Sequence, residues 1–470
     1  MVMERDAGSG SRHSVHNAVV YDMRTSSLGF MRAGMLLAFF SFCAKATGLL
    51  RDRILASSFG AGDTLDIYYA AFRFPDLLFN LIVLGGIASA FIPVFVSYFE
   101  KHENAAWRLA RTFGTWAVTL TALGAIALGL GAETVARIVG PGFDTAGQAR
   151  LASVIALMAW SPVLFAIGTI AGAVLQARER FFAYAIAPVL YNGGIIIGAL
   201  YLAPHEMRFG GDPVTGLVYG VLLGALLHAL TQWIAARRAG FRWSPSWSLR
   251  GTGVFAVVRL MIPRTLALGA QQIGTTITTM AASLLPAGGV TILALASNVH
   301  FVPVSLIAIA GATAAFPQLS RTVARSAWPE FRLLVSKASL RISGLLLLAA
   351  GAGIFFAEPI ARIAFGAGTP TGPDLVLLST AISVFMIGVV PQGLIHVVAR
   401  AFYALQDTRT PLVAALCGII TTGGIITSVY VQGALSLMVL AVATVAGSSV
   451  QALVLTIVLQ MRLSRIADSR

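Results

Sequence analysis

Gly86-Ile87-Ala88-Ser89-Ala90-Phe91-Ile92-Pro93 and Gly311-Ala312-Thr313-Ala314-Ala315-Phe316-Pro317 share one pattern, small residues followed by phenylalanine and proline at the end of a long apolar run, about 225 positions apart. A second pair keeps nearly the same offset. Pro188 opens an apolar run that continues through Ile195-Ile196-Ile197, and Pro411 opens one that continues through Ile419-Ile420. Small-residue and proline-headed helices are common in membranes, so each match alone is weak; the shared offset argues for duplication. Two halves inserted in the same orientation are related by an axis along the membrane normal. Transporters that rock two lobes around a midplane site are built this way.

Composition places these runs in a lipid bilayer. Of 470 residues, 57% are hydrophobic and only 11% charged, against about 25% charged in ordinary globular chains. Mean hydropathy is +0.82. A soluble protein of this length must cover its exterior with polar side chains, and here there are too few. Disorder, a secreted disulfide scaffold and a cytosolic enzyme are excluded. The two cysteines, Cys43 and Cys417, lie inside apolar runs and read as buried thiols. Residues 1–28 are mixed polar without the apolar core and cleavage site of a signal peptide, and read as a flexible tail.

A span needs about 20 apolar residues. The expectation is an all-α polytopic protein with about twelve transmembrane helices. The first six lie near 30–50, 67–98, 109–131, 150–176, 182–203 and 214–236; the second six lie near 254–284, 288–318, 334–357, 375–404, 410–431 and 434–461. They divide into six-helix lobes at 29–240 and 250–462 around a central cavity, with a tail at 463–470. Pro75, Pro93, Pro162, Pro263 and Pro303 fall inside spans and mark kinks. The even-numbered loops hold most of the cations, among them Lys101, Arg108 and Arg111, then Arg178 and Arg180, then Arg237, Arg238, Arg242 and Arg250. Positive charge stays on the cytoplasmic side, so both termini are expected there. The net charge of +14 therefore reads as topology, not as a nucleic-acid footprint.

Ionisable residues inside a span are costly and should face a cavity or a partner. The first span holds Lys45 and ends in Arg51-Asp52-Arg53; the second holds Asp66, Arg73, Asp76 and Asn80. The seventh holds Arg259 and Arg264, the eighth Asn298 and His300, and the tenth His396 and Arg400. Arg51, Arg53 and Arg400 lie where snorkelling to headgroups is the bland reading, and His300 and His396 read as packing residues. Lys45 and Arg73 sit deeper. Facing a cavity, such cations attract a phosphate or pyrophosphate, arginine as a bidentate fork and lysine as a point charge. Asp66 and Asp76 are placed to neutralise them when the cavity is empty. The substrate-binding candidates are thus Lys45, Arg51, Arg73 and Asp66, with Asp52, Asp76, Asn80, Asn298, His300, Arg259 and Arg264 as further cavity-lining candidates. No HExxH, P-loop, G-x-S-x-G or Cys/His cluster occurs, so neither enzyme, metal nor cofactor is expected.

Gly48-Leu49-Leu50-Arg51-Asp52, Phe59-Gly60-Ala61-Gly62, Asp66, Ala71-Phe72-Arg73-Phe74-Pro75, Ala90-Phe91-Ile92-Pro93, Pro141-Gly142-Phe143, Phe316-Pro317-Gln318-Leu319-Ser320 and Ala401-Phe402-Tyr403-Ala404-Leu405-Gln406-Asp407-Thr408-Arg409-Thr410-Pro411 follow one another in order. This series resembles the MurJ (MviN) family of lipid II flippases, in the superfamily of MATE exporters and polysaccharide-lipid flippases. The resemblance covers about residues 35–462. It implies two lobes in a V and alternating-access transfer of undecaprenyl-pyrophosphate-linked disaccharide-pentapeptide from the inner to the outer leaflet of the bacterial cytoplasmic membrane. It further implies a monomer acting beside the cell-wall synthesis machinery, with functional positions falling on Lys45, Arg51, Asp52 and Asp66.

Departures accompany it. Lys45 stands where relatives carry arginine. The stretch after the second-span proline reads Asp76-Leu77-Leu78-Phe79-Asn80 and Leu84, without the family's arginine and acid. The eighth span reads Ala296-Ser297-Asn298 with Phe301 at an acidic position. Cations and anions are lost together, as in coordinated replacement. Spans seven, eleven and twelve hold no carboxylate for the sodium site of some relatives, and the chain stops after span twelve where many members add two helices. A flippase for another polyprenyl-linked saccharide, a MATE-like exporter and a non-transporting scaffold are the alternatives.

Overall fold

The computed structural model describes residues 11–84, 90–365 and 373–468, with the side chains of 11–31, Ala33, Leu84, Pro263, Arg264, Ala267, Phe365, Pro373 and 466–468 outside the description. Residues 86–89 of the repeat motif, the first ten of the tail and the last two residues therefore fall outside it.

Every described element is helical. The first lobe comprises α1 (Ser11–Phe59), α2 (Asp63–Ala71), α3 (Arg73–Phe79), α4 (Ile92–Lys101), α5 (Glu103–Leu130), α6 (Ala132–Val139), α7 (Thr145–Met158), α8 (Ser161–Ala177), α9 (Phe181–Ile197), α10 (Ala203–Arg208) and α11 (Pro213–Arg238). The second comprises α12 (Val254–Ser283), α13 (Gly289–Pro303), α14 (Ala310–Ala324), α15 (Trp328–Phe355), α16 (Ala357–Phe365), α17 (Pro373–Ile387), α18 (Val389–Ala404), α19 (Arg409–Val431) and α20 (Leu437–Asp468). Residues 11–28, expected as tail, continue α1, because no proline interrupts Ser11–Phe59.

Among the described residues, ten helices, or helix pairs in line, are long and apolar enough to cross a membrane. They match ten of the twelve expected spans. The other two, the second and the seventh, contain residues outside the description, 85–89 in the one and the side chains of Pro263, Arg264 and Ala267 in the other. Within the second span, α3 runs into a wide π-helical turn at Asn80–Leu84; the seventh, α12, is 30 residues long.

Some backbone features recur near the repeat offset. The turn from α8 to α9 puts Glu179 at φ 56° and closes with Arg180 N–H donating to Leu175 O. The turn from α18 to α19 puts Gln406 at φ 58° and closes with Asp407 N–H donating to Phe402 O. Both second-span equivalents hold a π-helical turn, Asn80–Leu84 and Val304–Ile309. Close helix contacts repeat too. A Cβ on Gly194 of α9 would collide with Gly224 Cα of α11, and one on Gly418 of α19 would meet Gly447 O of α20 at 2.8 Å. Small residues let those backbones approach without lipid between them.

The lobes are not separated cleanly at the connector. Val254, Val257 and Met261, in the first turns of α12, are buried in a first-lobe cluster with Val83, Phe91, Phe95, Phe113 and Phe241. Further along, α12 packs on α19 and α20 of the second lobe. One helix thus belongs to both cores.

Candidate functional site

Most candidate residues lie on α1, α2, α3 and α13, with Asn80 opening the π-helical turn and Arg259 and Arg264 on α12. Residues seven apart on a helix return to the same face, so Lys45 and Asp52 of α1 both look toward α13. Lys45 Nζ lies 5.1 Å from the centroid of the Phe301 ring. Asp52 Oδ2 accepts a hydrogen bond from Asn298 Nδ2 at 2.9 Å. The order of these contacts runs oppositely along the two helices, as expected for spans one and eight.

Arg51 turns the other way. It donates to Asp52 Oδ1 through Nε at 2.9 Å and Nη2 at 2.7 Å, and through Nη1 to Asn192 Oδ1 at 3.1 Å. Asn192 Nδ2 in turn donates to Ala44 O at 3.0 Å. A polar chain therefore runs from α9 through α1 to α13, with Asp52 buried at its centre. Arg51 is occupied and neutralised there, whereas Lys45 faces a neutral ring.

Asp66 is not near these cations. Its buried carboxylate crosses to the second lobe, accepting from Gly288 N–H at 2.8 Å, Thr291 N–H at 2.7 Å and Thr291 Oγ1 at 2.6 Å. In this structure it pairs with neither Lys45 nor Arg73: three donors make it a tie between lobes. Nearby, Gly142 N–H donates to Ser283 Oγ at 3.2 Å. A Cβ on Gly142 would collide with Ser283 O, so only glycine permits this approach. All these ties sit beside the loops after spans one, three and seven, the side the loop charges assign to the outside.

On α3, Arg73 is half-buried, and its Nε has no hydrogen-bond partner. Asp76 lies one turn on, at a spacing that shares its face. Asn80 Nδ2 donates to Asp76 O at 2.7 Å, holding the entrance to the π-helical turn. His300 is buried against Phe385, centroids 5.6 Å apart, so it is a packing residue of the second lobe. Arg259 is exposed, and the Arg264 side chain lies outside the described residues. Arg400 does not simply snorkel; its Nη2 donates to Thr313 Oγ1 at 2.7 Å, joining α18 to α14. Asn192 was missed by the sequence reading. Its signal was a lone amide in the apolar fifth span, beside Gly193-Gly194.

Two duplicated helical lobes, tied at one end and carrying cations at their seam, define a multi-pass membrane transporter of the alternating-access architecture. The family model for the lipid II flippase MurJ matches residues 55–469. The chain is 30% identical over 406 residues to the lipid II flippase MurJ of Burkholderia cenocepacia, covering 84% of this chain and 77% of that one. It is 29% identical over 401 residues to the probable lipid II flippase MurJ of Vibrio cholerae, covering 83% and 75%. In fold it is similar to a solved lipid II flippase MurJ in an inward closed conformation, with TM-score 0.76, 20% identity and coverage of 91% and 87%. It is also similar to an inward-facing multidrug resistance MATE family transporter of the MOP superfamily, with TM-score 0.73, 14% identity and coverage of 90% and 96%. The chain belongs to the MurJ lipid II flippase family. It is a transporter of the bacterial inner membrane, not an enzyme.

Proposed function

We propose that this protein moves lipid II from the inner to the outer leaflet by alternating access, as a monomer with both termini in the cytoplasm. The observation that carries the reading is a pair of cations with donor capacity left over. Lys45 meets only the Phe301 ring among the described residues, and Arg73, with Asp76 one turn on, keeps an Nε without a hydrogen-bond partner. An anionic pyrophosphate headgroup supplies what both lack, whereas a cationic drug does not. Arg51 is the reserve: it meets a headgroup once the Asp52–Asn298 contact parts.

The ties at Asp52, Asp66 and Gly142 close the outer end in this state, so substrate enters from the cytoplasmic side. Opening outward requires breaking them. Hydrogen bonds to a charged group are worth about 1.5–3 kcal/mol each, a range a headgroup that bridges the lobes can overcome. The test is leaflet accessibility of lipid II in vesicles holding the protein. Lys45→Gln and Arg73→Gln, at matched expression, should each lower transfer at least tenfold; unimpaired transfer by both would overturn the assignment.

A further inference from the structure

Five of the seven tryptophans gather at one end of the first lobe, the end that loop charge assigns to the cytoplasm. Trp107 packs on Phe241, Trp233 on Trp243 and Trp116 on Trp247. Tryptophan concentrates where membrane meets water. Here it also fixes the connector that follows α11. Ser246 Oγ lies 2.8 Å from Thr112 Oγ1, Ser246 N–H donates to Thr115 Oγ1 at 3.0 Å, and Trp116 Nε1 donates to Trp247 O at 3.3 Å. The connector is a built wall.

Between that wall and the end of α11 lies a cavity of about 640 Å³, lined by Trp233, Arg237, Arg242 and Trp243. No carboxylate lines it. Neither guanidinium has an ion-pair or hydrogen-bond partner among the described residues. The helix-end carbonyls that would otherwise take them are already occupied. Ala239 N–H donates to Ala235 O, Phe241 N–H to Ala236 O and Gly240 N–H to Arg237 O, and Arg180 Nη1 reaches Arg238 O. Two free arginine forks beside aromatic faces suit a phosphodiester.

A second observation says where that phosphate comes from. Leu226, Leu230 and Ile234 of α11, four residues apart, are each exposed. They form one stripe on the helix, and Arg237 continues it by one turn. Because α11 spans the membrane, acyl chains cover this stripe, and it leads from the hydrocarbon to the cavity mouth, so a lipid lying along it brings its own phosphate to the two arginines.

We propose that this cavity binds the headgroup of an anionic phospholipid. The phosphate sits between Arg237 and Arg242, the headgroup rests against Trp233 and Trp243, and an acyl chain lies along Leu226, Leu230 and Ile234. The site is on the first lobe and its connector, away from Lys45 and Arg73.

A photoreactive phosphatidylglycerol added to the full-length protein in nanodiscs tests this. Labelling should map to residues 226–247 and be displaced by unlabelled phosphatidylglycerol, with phosphatidylcholine at least tenfold weaker and millimolar inorganic phosphate without effect. The double variant Arg237→Gln/Arg242→Gln should lose at least tenfold of the label, while Arg237→Lys/Arg242→Lys keeps most of it and Arg238→Gln all of it. Thermal unfolding of each variant confirms that the fold is retained. Equal displacement by phosphatidylcholine, full labelling of the double glutamine variant, or displacement by inorganic phosphate would each overturn the proposal.

Discussion

Lys45 meets Phe301 where an acid would have cancelled its charge. A cation over an aromatic face gains only about 0.5–1 kcal/mol at a partly exposed site, so the ammonium keeps nearly all its capacity for an incoming anion. This difference is testable by putting the acid in. Phe301→Glu should form an ion pair with Lys45 and lower lipid II transfer at least tenfold. Phe301→Leu, which removes only the ring, should change it less than about threefold. Lipid II transfer assayed in vesicles gives both numbers, and equal effects of the two substitutions would refute the idea that Lys45 is left available for an anion. The reading of Lys45 as a cavity cation needed only its depth in an apolar run. Its aromatic partner was not legible, because pairing across the lobes depends on a register between α1 and α13 that no local pattern encodes. Asp66 fared differently. Its sequence position marked it as unusual, but its three donors come from Gly288 and Thr291, more than 200 positions away, two of them backbone groups that carry no residue signature.

Helices were the most legible scale. Apolar length and proline spacing located ten spans, and the repeat offset foretold paired features that the backbone then supplied. The broken second span was harder: a window of hydropathy sees one long run from 67 to 98, whereas Asn80 and its bond to Asp76 O open a π-helical turn inside it. At the α18–α19 turn, Asp407 ties two elements together. Burial alone would raise its carboxyl, but Thr410 N–H and Oγ1, Arg409 N–H and the Arg462 guanidinium outweigh that and hold it below the ordinary value of 3.8. Its Oδ2 lies 2.6 Å from Arg462 Nη1 on α20. A carboxyl depressed in the folded state stabilises fully above its unfolded value, and that contribution disappears as pH falls through the folded one. Asp407→Asn should therefore lower the unfolding temperature at pH 7, and the gap to wild type should narrow below about pH 4. Unfolding followed by intrinsic fluorescence from pH 7 to 3 checks this; a gap independent of pH would contradict it.

For the whole molecule, the cycle proposed above turns on an equilibrium between a tied end, as in this structure, and the same end opened. Asp66 holds the largest group of those ties. Asp66→Asn would keep one oxygen acceptor but set its NH2 against the donors on the other side, Gly288 N–H or the Thr291 pair, and remove the charge that strengthens all three bonds. With about 1.5–3 kcal/mol at stake for such a bond, the population should move roughly ten- to 150-fold toward the open outer end. Spin labels at Thr145→Cys and Glu358→Cys, with Cys43 and Cys417 changed to serine, should report a longer distance component in the Asp66→Asn background. An unchanged distance distribution would remove Asp66 from the gate.

The shared helix α12 has a different implication. Because Val254, Val257 and Met261 complete the first lobe's interior while α12 also packs on α19 and α20, relative motion of the lobes loads this one helix. Pro263 lies two residues past Met261 and removes a backbone donor there, which makes that point the easiest to bend. The same geometry sets where the molecule can be divided: a cut in the connector would leave a vacant apolar groove on one fragment and an orphaned apolar stub on the other, and fragments meant to reassemble are better parted beyond the proline.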